Sequence, residues 1–351
     1  MHRVMVTEAP IWEKDVIHWR VHEYCSCWII KAGKCMKLAD FRLTAADFGT
    51  LGKDLQRPEC VWVDADGIWV SDARGGVSRL LADGTPQLLG SGILEPNGFS
   101  RRPDGSFVVA GIGDGCLHLI TPGGQTRTLL HDFRDAPLGA VNYACADGMD
   151  RIWLSVMTRG LPWHTALSAR HVDGYILRVD AEGARCEMVA DGLDLTNEVK
   201  LSPDGAHLYA VETFGKRVVR FAVRADGSLG EKEPVGPENL GEDVLPDGLT
   251  FDAAGNLWIT VINQNALFVI DRRHDVHVVY HDPNAHAVRA VTDAVAHRNG
   301  AVAQLAACAE VTGPLRLPTS VAFGGPDGRT AYVGSVGLST LATFRLPERL
   351  E

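Results

Sequence analysis

Long apolar runs are missing from this chain: none of its 351 residues belongs to a stretch of the ~18 consecutive apolar residues that a bilayer-spanning helix needs. An integral helical membrane protein is therefore excluded. The start, MHRVMVTEAPIWEKD, lacks the basic-then-apolar order of a secretory leader, and Trp28-Ile29-Ile30 is too short to supply one. Cysteine is sparse and irregular, at 25, 27, 35, 60, 116, 145, 186 and 308, which rules out the disulfide framework of a small secreted domain. These features predict a cytoplasmic protein with reduced thiols. Cys25, Cys27 and Cys35 stand beside His18 and His22, but their spacing fits no standard zinc pattern and they read as incidental thiols. A basic excess is missing too: 34 Lys and Arg face 44 Asp and Glu, for a net charge of -10, with no block of like charge. A phosphate-binding surface needs the opposite balance, so nucleic acid is not an expected partner. Helical periodicity is scarce, and the one helix-like insertion is DAVAHRNGAVAQLAACAEV (293–311), interrupted by Gly300.

What the chain does have is the composition of a globular protein, 46% hydrophobic and 22% charged with a mean hydropathy of -0.01, and an internal repeat. Six segments share one grammar: VWVDADGIWVSD (61–72), FSRRPDGSFVVAG (99–111), ACADGMDRIWLSV (144–156), KLSPDGAHLYAVE (200–212), TFDAAGNLWITV (250–261) and AFGGPDGRTAYVGS (322–335). Each predicts a hairpin, with Pro presetting φ and Gly accepting positive φ at the turn, and with alternating apolar residues on both sides. A second pair of strand signals follows most of them, as in CLHLITPGGQTRTLL (116–130) and GYILRVDAEGARCEMV (174–189). Four-stranded units recurring at intervals of about 40–55 residues are the signature of propeller blades. The expected fold is all-β, a six-bladed β-propeller over 51–351 with an N-terminal extension at 1–50. Met36 followed by KLADFRLTAADF reads as the more natural beginning of the folded part.

In a propeller the residues just before each innermost strand open onto one mouth of the central channel. There stand Glu59, Asn97, Asn142, Asn197, Asp247 and Thr319. The offset to the turn glycine is eight residues for Glu59, Asn97, Asn197 and Asp247, six for Asn142 and nine for Thr319. Asn-Gly and Asp-Gly are also ordinary turn formers, but Glu59 enters an apolar strand, where a lone carboxylate is costly to bury. Carboxylates and amide carbonyls with no Cys or His among them form a hard oxygen shell, suited to Ca²⁺ or a similar divalent ion.

The chain resembles the senescence marker protein/gluconolactonase/luciferin-regenerating enzyme family from roughly 50 to 347. The resemblance is carried by Glu59 and Trp62, by Asn142 before ADGMDRIWLSV, by TNEVKLSPDGAHLYAVET, by PDGLTFDAAGNLWIT and by the closing FGGPDG. It implies a six-bladed propeller holding one divalent cation, Ca²⁺ first and Zn²⁺, Mn²⁺ or Mg²⁺ as alternatives, with Glu59, Asn142, Asn197 and Asp247 as ligands. Members that open sugar lactones commonly have an Arg two residues before the second ligand and an Asp after it. Here those places hold Ala140 and Tyr143, so the usual clamp on a polyhydroxylated acid is gone. Asn197 is followed by Glu198 where Gly is common, which adds a carboxylate near the mouth. The long loop TRGLPWHTALSARHVDG (158–174) carries Trp163 and His164, a lid over a less polar substrate or simply a packed surface loop.

The expected activity is metal-dependent hydrolysis of a lactone or related ester, with Asp247 as ligand and base and with Asn97, Tyr143, Trp163 and His164 against a small-molecule substrate. No G-x-S-x-G elbow and no Cys/His pairing argues for covalent catalysis. Two other classes stay open: a non-catalytic calcium-binding or interaction propeller, and a strictosidine-synthase-like condensing enzyme. Oligomeric state is not set by the chain.

Overall fold

The structure, a computed structural model, describes residues 35–167, 171–297 and 302–350. His18, His22, Cys25 and Cys27 lie outside the described residues, while Cys60, Cys116, Cys145, Cys186 and Cys308 carry thiols rather than disulfides.

Six four-stranded antiparallel sheets form the body, one for each repeat. Their innermost strands are Val61–Asp64, Pro96–Arg101, Val141–Ala146, Thr196–Leu201, Pro246–Phe251 and Pro318–Gly324. Each touches the next in that order and the last touches the first, so the fold is the expected six-bladed β-propeller, with blades 1 to 6 counted along the chain. The second strand of a blade is covered by neighbouring blades on both faces. Accordingly Phe107–Gly111, Ile152–Val156 and Leu257–Val261 are buried from end to end rather than alternating, with Ser155 and Thr260 their only hydroxyl residues. Blade 6 is closed by Gly49–Leu51, which pairs with Leu341–Arg345 as its outer strand. The first and last parts of the ring are thereby joined, and a free sheet edge is covered.

The hairpin turns behave as their residues dictate. Asp204 and Asp252 accept from the backbone N–H two residues on, at 3.0 and 2.9 Å, and Gly205 and Gly255 sit at φ of 69° and 83°. The same Asp252 carboxylate anchors the buried Trp258 indole at 3.0 Å, as Asp147 anchors Trp153 at 3.1 Å. In blade 3 the left-handed position is held not by Gly148 but by Asp150, at φ 57°. Counted to that residue, Asn142 has the same eight-residue offset as Asn97, Asn197 and Asp247. Its apparent irregularity came from taking the glycine as the marker of a conformation that Asp also tolerates.

The helical insertion between blades 5 and 6 begins earlier than its sequence suggests. It consists of helix α1 (Ala285–Ala296) and the short α2 (Val302–Ala307), with Gly300 between them. The Asn284 side chain caps α1 by accepting from Ala287 N–H at 3.2 Å. Ala287, Val288, Val291 and Ala294 make its buried face. They join one apolar cluster with Ile112, Met157, Phe214 and Ile262 from four blades, which sets the insertion over one end of the channel.

Candidate functional site

The innermost strands are not regular. Their pairing with the second strand slips between Pro96 and Phe99, Val141 and Tyr143, Thr196 and Val199, Pro246 and Leu249, and Pro318 and Ser320. Asn97, Asn142, Asn197, Asp247 and Thr319 lie at these bulges, which turn a side chain out of the pleat. A backbone N–H released by such a slip still needs an acceptor. The second strand supplies one: Tyr143 N–H donates to Ser155 Oγ at 3.0 Å and Gly248 N–H to Thr260 Oγ1 at 2.8 Å. Blade 1 repeats the device with Cys60 N–H and Ser71 Oγ at 2.9 Å, just after Glu59.

All six side chains, from Glu59 to Thr319, line a single cavity of about 160 Å³. They are buried and form its polar floor. Asn97 is fully engaged: its oxygen accepts from Arg57 Nη2 at 2.8 Å and its amide donates to the Asn142 carbonyl at 3.0 Å. Thr319 Oγ1 donates to the Glu59 carbonyl at 2.6 Å. Asn197 Nδ2 donates to Thr213 Oγ1 at 3.2 Å, which donates on to the Pro246 carbonyl at 2.8 Å. These bonds fix the amide nitrogens of Asn97 and Asn197 and leave oxygens over. Glu59 Oε2, Asn142 Oδ1 and Asn197 Oδ1 are buried acceptors with no partner among the described residues. An unsatisfied buried oxygen costs about 1–3 kcal/mol, so three in one cavity call for a ligand that accepts their lone pairs.

Charge argues the same way. Burial pushes the Glu59 carboxyl up to about 7, against the pull of Arg57 and Asn97. Asp247 is held well above the usual carboxylate range by burial first and then by the like charges of Glu59 and Glu198. Glu198 itself is pushed up to about 8 by burial, and the Glu59 charge adds to this. Three buried carboxylates repel one another unless a cation stands among them.

Glu198 lies inside the fold rather than at the mouth. One oxygen accepts from Leu249 N–H at 3.0 Å, the other has no partner among the described residues, and the carboxyl packs against Gly248. Tyr143 is also buried beneath the floor, with its ring against Gly98 and Lys200, and is not part of the cavity lining. Trp163 does line the cavity, its indole N–H donating to Glu95 Oε2 at 3.1 Å. His164 is exposed, edge-on to Trp163, and outside the lining. Arg57 and Thr213 belong to the floor although no residue pattern singles them out. A separate group, Asp114, Cys116 and His118, brings ligand-type atoms within 4.8 Å of one another. Its carboxylate is already engaged by Leu94 N–H, Cys116 N–H and His118 Nε2 at 3.0 to 3.1 Å, which makes it a brace of blade 2.

Fold and site together define a β-propeller with a buried pocket of carboxylate and amide oxygens at one end of its channel. The chain belongs to the SMP-30/gluconolactonase/LRE-like family, whose model matches residues 56–292. A 6-deoxy-6-sulfogluconolactonase from Pseudomonas putida is 28% identical over 237 residues, covering 68% of this chain and 67% of that protein. Among solved structures, a gluconolactonase from Xanthomonas campestris superposes with a TM-score of 0.58 at 18% identity, covering 89% of each chain. Regucalcin from Agrobacterium tumefaciens, a calcium-binding protein, gives 0.56 at 17% identity, covering 91% of this chain and 96% of that one. At such identities the superpositions speak for the fold.

Proposed function

We propose that the protein is a lactonase, a carboxylic ester hydrolase that opens a lactone or related ester with the help of one divalent cation. The cation, Ca²⁺ in the first instance, would be held by Glu59, Asn142, Asn197 and Asp247. The observation that carries this reading is the coincidence of three orphaned oxygens with two mutually repelling carboxylates around one cavity. The donors are all oxygen, which favours a hard ion. When bound, such an ion supplies Lewis-acid polarisation of an ester carbonyl and a more acidic water.

The chain's own residues do the rest. Asp247 takes a proton from the water that attacks the acyl carbon and returns it to the ring oxygen as the acyl C–O bond breaks, which yields the hydroxy acid. Arg57 holds Asn97 in place and lends positive charge beside Glu59. The lactonase names of the family and of the Pseudomonas relative support the reaction class.

The test is a lactone and aryl-ester panel run on chelated protein and again after adding back Ca²⁺, Zn²⁺, Mn²⁺ or Mg²⁺, with ion binding followed by calorimetry. Hydrolysis lost on chelation and restored by one ion is the expected result. Hydrolysis indifferent to chelators would remove the cation from the reaction, and absence of both hydrolysis and ion binding would favour the condensing-enzyme reading. The orphaned oxygens equally fit a non-catalytic calcium-binding propeller, and ion binding without turnover of any ester would favour that second reading.

A further inference from the structure

The floor of the cavity is polar, but its wall is not, and the wall is built by the repeat. In blades 2 to 6 the residue after the second strand donates its N–H to the carbonyl of the residue before the innermost strand. Blade 2 does so with Ile112 to Glu95, blade 3 with Met157 to Ala140, blade 5 with Ile262 to Leu245 and blade 6 with Val336 to Leu317. Four of these five equivalent places thus carry large aliphatic side chains, and all four line the cavity. Blade 4 places Thr213 there with Phe214 next to it, and Phe214 lines the cavity too. The helical insertion adds Leu305 and the blade 3 loop adds Trp163.

Among the lining residues, the oxygens without a partner all belong to the floor, and the other polar side chains that border the wall are engaged. Arg57 donates to the Pro96 carbonyl at 3.0 Å as well as to Asn97, the hydroxyls of Thr213 and Thr319 donate to backbone carbonyls, and the Trp163 indole is held by Glu95. A polyhydroxylated ring entering this cavity would exchange water for hydrocarbon at most of its carbons, and each unmatched hydroxyl carries a desolvation penalty. A hydrocarbon body loses nothing of the kind and gains from leaving water.

We infer that the substrate is a lactone or ester with an alkyl or aryl body rather than a sugar-acid lactone, its acyl oxygen toward the polar floor and its hydrocarbon part against Ile112, Met157, Phe214, Ile262 and Val336. The inference rests on the lactonase reading for its chemistry, but the wall can be tested apart from turnover.

The experiment uses the full chain loaded with Ca²⁺ and compares kcat/KM for glucono-δ-lactone with a series of δ-lactones whose alkyl tail lengthens by one carbon at a time. The expected rise is about fourfold per methylene until the cavity is filled, with glucono-δ-lactone about 100-fold or more below the best member. Val336→Thr, which keeps the side-chain shape, and Phe214→Ala should each flatten the chain-length dependence. In parallel, binding of δ-lactams with the same tails is measured by calorimetry, which needs no hydrolysis. Tail-dependent lactam binding supports the inference even if no lactone is opened, the outcome that would remove the proposed activity. Preference for glucono-δ-lactone, or lactam binding that is absent or indifferent to tail length, would overturn it.

Discussion

The ring of Tyr143 occupies the space that a side chain at position 98 would need: a Cβ built on Gly98 would stand 2.1 Å from Tyr143 Cδ2 and 2.8 Å from its Cα. Tyr143 follows Asn142 and Gly98 follows Asn97, so this contact locks two adjacent blades just beneath the floor. Gly98→Ala therefore forces a buried ring and a backbone apart, with an expected loss of about 1–3 kcal/mol or more. Urea denaturation would measure it. In a Tyr143→Ala background the same change should cost less, because part of the clash is gone; equal losses in both backgrounds would contradict the stated cause.

Asp247 carries the proton transfer in the proposed reaction, while its backbone and neighbours are held independently by the Gly248 bond to Thr260 and by the Thr213 bond to Pro246. Asp247→Asn should lower kcat by about 10²–10⁴-fold, while the thermal midpoint of the chelated protein at neutral pH holds or rises because a repelled buried carboxylate is gone. Steady-state kinetics alongside calorimetric melting separates the two effects. Full activity in the variant would remove Asp247 from its assigned role.

The buried carboxylates give the metal-free protein an unusual pH response. In the unfolded chain Glu59 and Glu198 ionise near their ordinary value of 4.5, whereas in the folded chain burial holds them to about 7 and about 8. Between those limits the unfolded state releases protons that the folded state keeps, so stability falls as pH rises from about 5 to about 8, by on the order of 1 kcal/mol per pH unit for each proton retained. Above that range Glu59 and Glu198 are ionised in both states and no longer add to the slope. Urea midpoints in EDTA from pH 5.5 to 8.5 would reveal the slope, Glu198→Gln should reduce it, and saturating Ca²⁺ should cancel it. A flat profile in EDTA would show that these carboxyls ionise normally.

Asn284 is the hinge between blade 5 and the helices over the cavity, since its carboxamide caps α1 and also donates to the Ala307 carbonyl at 3.3 Å. Asn284→Ala should cost about 1 kcal/mol. Hydrogen exchange should increase in α1 and α2 before it changes in the blades. Unaltered exchange in the helices would mean that packing alone holds them.

Much of this molecule was legible along the chain because a propeller repeats the same local problem six times. The PDG and ADG turns, the alternating apolar strands and the eight-residue offset to most of the polar positions are local features, and repetition made each one readable from the others. Glu59, Asn97, Asn142, Asn197, Asp247 and Thr319 stood out because polar side chains recur at apolar strand starts, and the family resemblance singled out Glu59, Asn142, Asn197 and Asp247 among them. Local reading failed where the decisive neighbour is distant. Asp150 rather than Gly148 takes the left-handed turn because the hairpin register requires it there, and α1 begins at Ala285 because its apolar face has the mouth of the channel to cover.

Sequence by itself determined the blades, their number and the chemical type of the floor, since these depend on turn chemistry, alternation and residue identity within short windows. Tertiary structure decided what the floor is joined to. Closure by Gly49–Leu51, the burial of Glu198 beneath the site and the apolar wall drawn from five blades and a helix all arise from contacts between residues far apart in the chain. Ring closure brings those residues together, and the local sequence around each carries no mark of the neighbours it will meet.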